Sequence, residues 1–332
     1  MTLIIINTMC LLTMLKIIAP ENCEKITSLK SIREAQPPEI TTPMCEKKQA
    51  VEEIKGFFDL PANIQEFLYY RHCRDFPALL TLPNKCMVPK GSRETFLLLV
   101  IKSSPTNYEQ QAVLRKTWAK ERTQDGMFIR TVFLTGTSGF SLEKLRVLFL
   151  DWMQDWCLTA DFFFNGDDDI FANTDNMVDF LKGQRDIDGS KHMFTGHMLR
   201  NSVPIRDNNT KYYIPEQIEP NNLYPPYCSG GGYILSRFTA MTIFHMSLSV
   251  TLMPIDDVYM CMCLEKAGLI PSTHKGVWAN GLILPSKKMD ELDPCFYRDM
   301  ILGHKFLPHE IFLLWDQIHS KDLNCAKKMS NL

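Results

Sequence analysis

Residues 160–169 read Ala-Asp-Phe-Phe-Phe-Asn-Gly-Asp-Asp-Asp, an apolar stretch of strand length that runs directly into three aspartates. Two more continuous apolar runs lie at 95–101 and 130–136. Continuous rather than alternating hydrophobicity indicates strands buried on both faces, as in a parallel sheet. Apolar residues at helical spacing in 107–120 and 145–156 separate these strands. The order predicts an α/β fold, a mixed sheet flanked by helices, with ligands at the carboxyl ends of the strands.

The acidic turn at 167–169 is the first candidate site. Two aspartates one residue apart can hold a hard cation such as Mn²⁺ or Mg²⁺ against a diphosphate, because such ions prefer oxygen ligands and let phosphates complete their shell. The alternative is a solvated acidic turn. Carboxylates at the end of a buried strand carry a desolvation cost, so their position after Phe162, Phe163 and Phe164 favours a ligand site.

A glycine-rich stretch is the second candidate site. Residues 224–233 read Tyr-Pro-Pro-Tyr-Cys-Ser-Gly-Gly-Gly-Tyr. Successive glycines allow a backbone to approach a ligand closely, and the flanking aromatic rings can stack on a sugar. An ordinary tight turn is the alternative. The glycine spacing matches neither a dinucleotide fingerprint nor a phosphate-binding P-loop.

Two further positions offer acid–base or metal chemistry. Residues 253–259, Met-Pro-Ile-Asp-Asp-Val-Tyr, open a predicted helix. Asp257 is a candidate general base, whereas Asp256 is also explained as a carboxylate that complements the helix dipole. His304 is a single histidine, which is usually structural unless a metal site lies beside it.

Charge and cysteine content restrict the class of protein. The formal net charge is −2, so no basic surplus points to nucleic acid as a partner. Eleven cysteines are scattered without any Cys-x-x-Cys pair, which favours disulfides formed in an oxidising compartment. Buried free thiols in a cytosolic protein are the alternative.

The N-terminal region resembles a membrane-targeting arrangement. Residues 3–18 are largely apolar but shorter than the roughly 20 residues of a membrane span. We therefore interpret 1–20 as a weak signal anchor or signal peptide and 21–44 as a polar stem. Residues 45–95, with Cys45, Cys73 and Cys86, form a small N-terminal preface to the main domain.

Together these stretches resemble the Golgi β-1,3-glycosyltransferase family, and most of all its β-1,3-N-acetylglucosaminyltransferases. The preface contributes Phe-Leu-Tyr-Tyr-Arg-His-Cys-Arg at 67–74. The other matching stretches, in family order, are 96–104 (Phe-Leu-Leu-Leu-Val-Ile-Lys-Ser-Ser), 114–118 (Leu-Arg-Lys-Thr-Trp), 165–171 (Asn-Gly-Asp-Asp-Asp-Ile-Phe), 204–206 (Pro-Ile-Arg), 211–213 (Lys-Tyr-Tyr), 224–228 (Tyr-Pro-Pro-Tyr-Cys), 255–259 (Ile-Asp-Asp-Val-Tyr) and 293–298 (Asp-Pro-Cys-Phe-Tyr-Arg).

The resemblance implies a GT-A-type, Rossmann-like catalytic domain over 96–325, with a short tail at 326–332. It implies Mn²⁺ held by Asp169 and His304, and Asp257 as the catalytic base. The donor, UDP-GlcNAc, would contact Arg115, Asp167, Asp168, Gly230 and Gly231. The acceptor, a galactose-terminated glycan, would contact Tyr213, Tyr227 and Asp256.

The resemblance further implies a type II Golgi membrane protein with a lumenal catalytic domain, and it is compatible with a homodimer. A β-1,3-galactosyltransferase and a non-catalytic, partner-binding relative remain alternatives. The chain departs from the family in two places. Residues 138–142 stand where the family has a further helix and strand, and Cys261 stands where it has glycine. We expect the first departure to expose apolar surface at a cost of several kcal/mol, against a total stability of about 5–15 kcal/mol.

Overall fold

The computed structural model describes residues 45–74, 82, 85–86, 95–136, 142–184, 186–279 and 292–325, with side chains of the helix at 142–156 described from Phe149 onward. The predicted anchor at 1–20, the stem at 21–44 and the tail at 326–332 lie outside these ranges. Within them, no helix has the length and apolar character needed to cross a membrane.

The elements alternate as the sequence predicts. The strands are β1 (Thr95–Lys102), β2 (Arg122–Gln124), β3 (Met127–Leu134), β4 (Phe162–Asp167), β5 (Ile170–Ala172), β6 (Phe194–Leu199), β7 (Tyr227–Ser236), β8 (Ser272–Thr273), β9 (Val277–Trp278) and β10 (Leu302–His304). The helices are α1 (Ala62–Tyr70), α2 (Tyr108–Lys116), α3 (Leu142–Trp156), α4 (Thr174–Lys182), α5 (Arg237–Ser247), α6 (Asp256–Lys266), α7 (Pro294–Arg298) and α8 (Pro308–Ile318).

The main sheet has seven strands in the order β2-β3-β1-β4-β7-β6-β8, and a smaller sheet has the order β5-β10-β9. Strand β1 pairs in parallel with β3 and with β4, whereas β7 runs antiparallel to β4 and β6. The predicted mixed α/β sheet is confirmed. Strands β3 and β4 lie on either side of β1, so the chain crosses over β1 through α3.

The apolar runs are continuous because both faces of the sheet are covered. All eight residues of β1 are buried. Leu98 and Val100 pack into one core cluster, and Leu97, Leu99 and Ile101 pack into the other. Side chains alternate across a strand, so a strand between two cores needs apolar residues at successive positions.

One disulfide lies within the predicted preface, and a second joins the preface to α3. Cys45 is bonded to Cys73, and Cys86 is bonded to Cys157 at the end of α3. A third disulfide joins Cys295 and Cys325. The predicted disulfide role of the preface cysteines is confirmed. Cys228, Cys261 and Cys263 are buried thiols outside these disulfides, so the departure at Cys261 places a thiol in the core.

Candidate functional site

Three neighbouring strands bring the predicted motifs to one end of the main sheet. Lys102, the last residue of β1, lies opposite Asp167, the last residue of β4. On the other side of β4, Gly166 lies opposite Gly232 of β7. The acidic turn and the glycine-rich strand, distant in sequence, are therefore adjacent at the carboxyl ends of β1 and β4.

Asp167, Asp169 and His304 form a compact cluster at this end. Their ligand atoms lie within 4.8 Å of one another. His304 Nε2 is 3.2 Å from Asp169 Oδ1 and 3.9 Å from Asp167 Oδ2. The pairing of β10 with β5 causes this proximity, because His304 lies opposite Ile170, the residue after Asp169. The two residues predicted as metal ligands, Asp169 and His304, are brought together.

The electrostatics of the cluster suit a cation. His304 Nδ1 lies 2.8 Å from the Ala279 carbonyl oxygen, so it donates there and leaves Nε2 facing the carboxylates, as in many histidine metal ligands. The hydrogen bond with Asp169 raises the pKa of His304 despite its burial. Burial alone would raise the pKa of Asp169, but the contacts with His304 outweigh it and lower that pKa.

One carboxylate oxygen of the cluster can still accept a ligand. Asp169 Oδ1 is buried and, apart from the 3.2 Å contact with His304 Nε2, no described group donates a hydrogen bond to it. Two carboxylates and an imidazole nitrogen are a donor set that Mn²⁺ accepts. These residues therefore fit a divalent metal.

Asp168 points away from this cluster. Its Oδ2 accepts hydrogen bonds from Ser103 Oγ at 2.6 Å and from Asn107 Nδ2 at 2.9 Å. Gln110 Nε2 donates to the Asp168 carbonyl oxygen at 2.6 Å. Asp168 therefore fastens the loop between β1 and α2 to the acidic turn. Sequence reasoning did not identify these three partners, although the polar run after β1 was a signal for them.

Arg115 lies on α2 at the edge of the same loop. Its side chain is exposed and stacks 4.2 Å from the centroid of the Phe133 ring. Its Nη2 donates to Gln111 Oε1, and Gln111 Nε2 donates to Ser103 Oγ. Hydrogen bonds thus connect Arg115 to Asp168 through the side chains of Gln111 and Ser103. Because the guanidinium is exposed, it can also contact an anionic ligand.

The glycines of β7 allow close approach of other site residues. Gly230 N–H donates to Asp257 Oδ2 at 2.8 Å, and a Cβ atom at Gly230 would lie 3.2 Å from that oxygen. A Cβ at Gly231 would lie 3.2 Å from His304 Cγ. A Cβ at Gly232 would come within 2.4 Å of Leu302. A side chain at these positions would therefore crowd Asp257, His304 and Leu302, and the three glycines lie within strand β7 rather than in a tight turn.

Asp256 and Asp257 occupy the first turn of α6. Asp257 Oδ1 accepts from Val258 N at 2.8 Å, so both carboxylate oxygens of Asp257 are fixed by backbone N–H groups. Asp256 Oδ2 lies 3.4 Å from Lys102 Nζ. The helix N-terminus favours these charges, and Lys102 adds a direct countercharge to Asp256.

Lys102 is the main residue that sequence reasoning missed. Its Nζ lies 2.7 Å from Asp167 Oδ1, 3.4 Å from Asp256 Oδ2 and 3.3 Å from the Gly230 carbonyl oxygen. Its side chain is only 4% exposed. A lysine at the end of a buried apolar strand was a visible signal, since a buried ammonium needs anionic partners.

The tyrosines predicted to contact the acceptor occupy neighbouring segments. Tyr227 begins β7, and burial together with the charge of Asp257 raises its pKa. Its ring lies 6.2 Å from that of Tyr224 in an edge-to-face arrangement. Tyr213 is half-buried and forms an isolated backbone bridge with Ile205.

The site thus combines a donor set for a divalent metal, Asp167, Asp169 and His304, with a carboxylate, Asp257, that is fixed by a glycine of β7. Sequence comparison identifies the class: the profile of the galactosyltransferase family, whose members are glycosyltransferases, matches residues 140–275. That range includes the acidic turn, the glycine strand and the first turn of α6.

The relatives extend this match beyond the profile. N-acetyllactosaminide β-1,3-N-acetylglucosaminyltransferase 3 of Homo sapiens is 39% identical over 360 residues, covering 97% of this chain and 95% of the relative. An acetylgalactosaminyl-O-glycosyl-glycoprotein β-1,3-N-acetylglucosaminyltransferase of Mus musculus is 39% identical over 326 residues, covering 88% of this chain and 81% of the relative. UDP-GlcNAc:betaGal β-1,3-N-acetylglucosaminyltransferase 7 of the same organism is 34% identical over 310 residues, covering 83% and 76%.

This chain belongs to the galactosyltransferase family. The alignment with the human relative spans 360 positions, more than the 332 residues of the chain. The relative therefore contains residues that have no counterpart here.

Proposed function

We propose that this chain transfers N-acetylglucosamine from UDP-GlcNAc to the 3-hydroxyl of a terminal galactose on a glycoprotein or glycolipid glycan. The product is a β-1,3 linkage. One observation carries the proposal: two successive glycines of β7 connect the carboxylate and the metal-type cluster, because Gly230 N–H donates to Asp257 and Gly231 lies against His304, which contacts Asp169. The names of the relatives supply the sugar and the linkage.

The proposed cofactor is Mn²⁺, held by Asp169 and His304 with Asp167 beside them. The ion would supply positive charge to the diphosphate of the donor and to the departing UDP. Arg115, exposed on α2, is proposed to contact the same diphosphate. Asp168 is proposed to act on the donor side by fixing the 103–107 loop.

Asp257 is the proposed general base. Gly230 N–H and Val258 N–H fix its two oxygens, so its orientation is set before the acceptor binds. It takes the proton of the acceptor 3-hydroxyl while that oxygen forms a bond to the anomeric carbon. The bond from this carbon to the UDP oxygen breaks on the opposite face, and the pair of electrons leaves with UDP. A single displacement of this kind inverts the anomeric centre.

The other contacts predicted from the sequence complete the proposal. Gly231, which packs against His304, is assigned to the donor, and Tyr213, Tyr227 and Asp256 are assigned to the acceptor. We also propose a Golgi location with the catalytic domain in the lumen, an anchor at 1–20 and a homodimer. The disulfides support an oxidising compartment.

The test is a transfer assay on the full chain with UDP-GlcNAc or UDP-galactose, a galactose-ended oligosaccharide, and Mn²⁺ or a chelator. We expect transfer from UDP-GlcNAc that needs the metal, and a β linkage by NMR. Asp257→Asn should lower kcat by about 10²–10⁴-fold while UDP binding by calorimetry is unchanged. Asp179→Asn, on the exposed surface of α4, is the matched control and should leave kcat unaltered.

Each alternative predicts a different result. Faster transfer from UDP-galactose would replace the proposal with a galactosyltransferase. UDP binding without any transfer would assign the chain to the non-catalytic relatives. Retention of full activity by Asp257→Asn would remove the proposed base.

A further inference from the structure

A second concave site lies between the preface and the chain that follows α5. It is a cavity of about 370 Å³, its lining includes Lys48, Arg71, His72 and Arg74, and no aspartate or glutamate is among the described residues that line it. Leu68 supplies part of an apolar wall. Small-molecule sites have volumes of about 300–1,000 Å³, so this cavity can hold a group the size of a monosaccharide.

The two arginines are fixed by carbonyl oxygens rather than by carboxylates. Arg71 donates from Nε to the Leu252 carbonyl at 2.8 Å and from Nη2 to the Ile218 carbonyl at 3.0 Å. Arg74 donates from Nη2 to the Val250 carbonyl at 2.9 Å. Neutral acceptors orient a guanidinium without cancelling its charge, so the positive charge of both side chains persists.

One buried hydrogen-bond donor in the cavity wall also lacks a partner among the described residues. That donor is Arg74 Nη1. Burial lowers the pKa of Arg71, and the neighbouring charge of Arg74 lowers it further, while Glu219 opposes both. One Glu219 oxygen already accepts from Asn221 N at 2.9 Å. Three cationic side chains, Lys48, Arg71 and Arg74, therefore line the cavity, and Glu219 is the acidic group that acts on Arg71.

We propose that this cavity binds an oxyanion, of the sulfate or carboxylate type, that is carried on a sugar. The cations supply charge-assisted hydrogen bonds, which are the strong ones for such groups. The polar side chains of Gln217, Ser249 and Thr251 and the apolar wall supply a surface for the attached ring. None of the residues assigned to the transfer reaction lines the cavity, so the site is additional to the proposed function.

The cavity is connected to the acceptor side by one segment of chain. Arg71 holds the Ile218 carbonyl, and Arg206 holds the carbonyls of Ile214 and Glu219. Tyr213 directly precedes this segment. An acidic sugar in the cavity would therefore lie behind the backbone that positions a proposed acceptor residue.

The test is calorimetric titration of the full chain, without UDP-sugar, using glucose 6-sulfate, glucuronic acid, inorganic sulfate and glucose. We expect binding of the acidic sugars and none of glucose. Arg74→Gln should weaken binding at least about tenfold, because it removes a charge-assisted hydrogen bond to the anion. Lys48→Gln, at an exposed position that perturbs folding little, should weaken it about two- to fivefold. The matched control, Lys321→Gln, lies on the exposed surface and should bind as the original chain does.

The outcomes distinguish a sugar-linked anion from a free anion and show which results would overturn the proposal. Equal binding of inorganic sulfate and the acidic sugars would keep the oxyanion site but assign it to the free ion. Absence of binding by every acidic probe would overturn the proposal. So would binding that Lys48→Gln and Arg74→Gln leave unchanged while both variants keep the original melting temperature. Because no transfer is measured, these results are independent of the catalytic assay.

Discussion

Replacement of Lys102 by methionine tests the electrostatic organisation of the site most directly. The ammonium lies 2.7 Å from Asp167 and 3.4 Å from Asp256, and the side chain is 4% exposed. Methionine retains the length and apolar stem but leaves both carboxylates without this cation. Breaking a buried pair by removing one partner costs about 3–5 kcal/mol. Because the Asp167 side chain is 34% exposed, water recovers part of the loss, and we expect about 3 kcal/mol.

The assay is urea unfolding followed by tryptophan fluorescence, with the disulfides intact. The matched control is Lys182→Met, which removes an ion pair with Asp125 of 2.7 Å on the surface. Exposed pairs contribute about 0.2–1 kcal/mol, so the control should lose much less stability. The double variant Lys102→Met with Asp256→Asn should recover part of the loss, since contacting residues couple by about 0.5–3 kcal/mol. Equal losses for Lys102→Met and Lys182→Met would refute the assignment of Lys102 as a buried countercharge.

Two further predictions concern the base and an ion pair remote from it. Gly230→Ala should lower kcat about tenfold with a small change in melting temperature, because the new Cβ would lie 3.2 Å from Asp257 Oδ2. Misplacement of a catalytic group by ~1 Å can lower the rate by ~10²-fold. An unchanged kcat would mean that the proposed base tolerates this displacement. Burial would raise the pKa of Asp175, but hydrogen bonds from His319 and Arg122 outweigh it and lower that pKa. Asp175 therefore contributes stability above its unfolded-state pKa, and this contribution is lost as pH falls through the folded-state value. The stability difference between the original chain and Asp175→Asn should shrink on acidification below about pH 4, and a difference that is constant with pH would contradict this.

The elements that the sequence predicted best are those whose pattern depends on burial alone. Strands β1 and β4 follow from continuous apolar runs, since Leu97 and Leu98 face opposite cores. The boundaries were less accurate: the predicted strand at 160–165 is β4 at Phe162–Asp167, and the helix expected from 145 begins at Leu142. Local hydrophobicity does not reveal the residue at which hydrogen bonding to a neighbouring strand ends.

The partnerships within the site depend on sheet order, which no local pattern contains. His304 reaches Asp169 because β10 pairs with β5. Lys102 reaches Asp256 across 154 positions of sequence. The resemblance to a family identified Asp169, His304 and Asp257 individually. The lysine between the two acidic segments became apparent only when β1, β4 and α6 were placed together.

The path from β3 to β4 has a consequence for how this fold accommodates changes in length. The chain leaves β3 at Leu134, passes through α3 and enters β4 at Phe162, with β1 between the two strands. This is an ordinary parallel crossover, for which a dozen or more residues suffice. A whole helix-and-strand repeat can therefore be excised before α3 without rethreading the rest of the chain. The connection that would change in length begins on the β3 side of β1, whereas Asp167 ends β4 on the other side of β1.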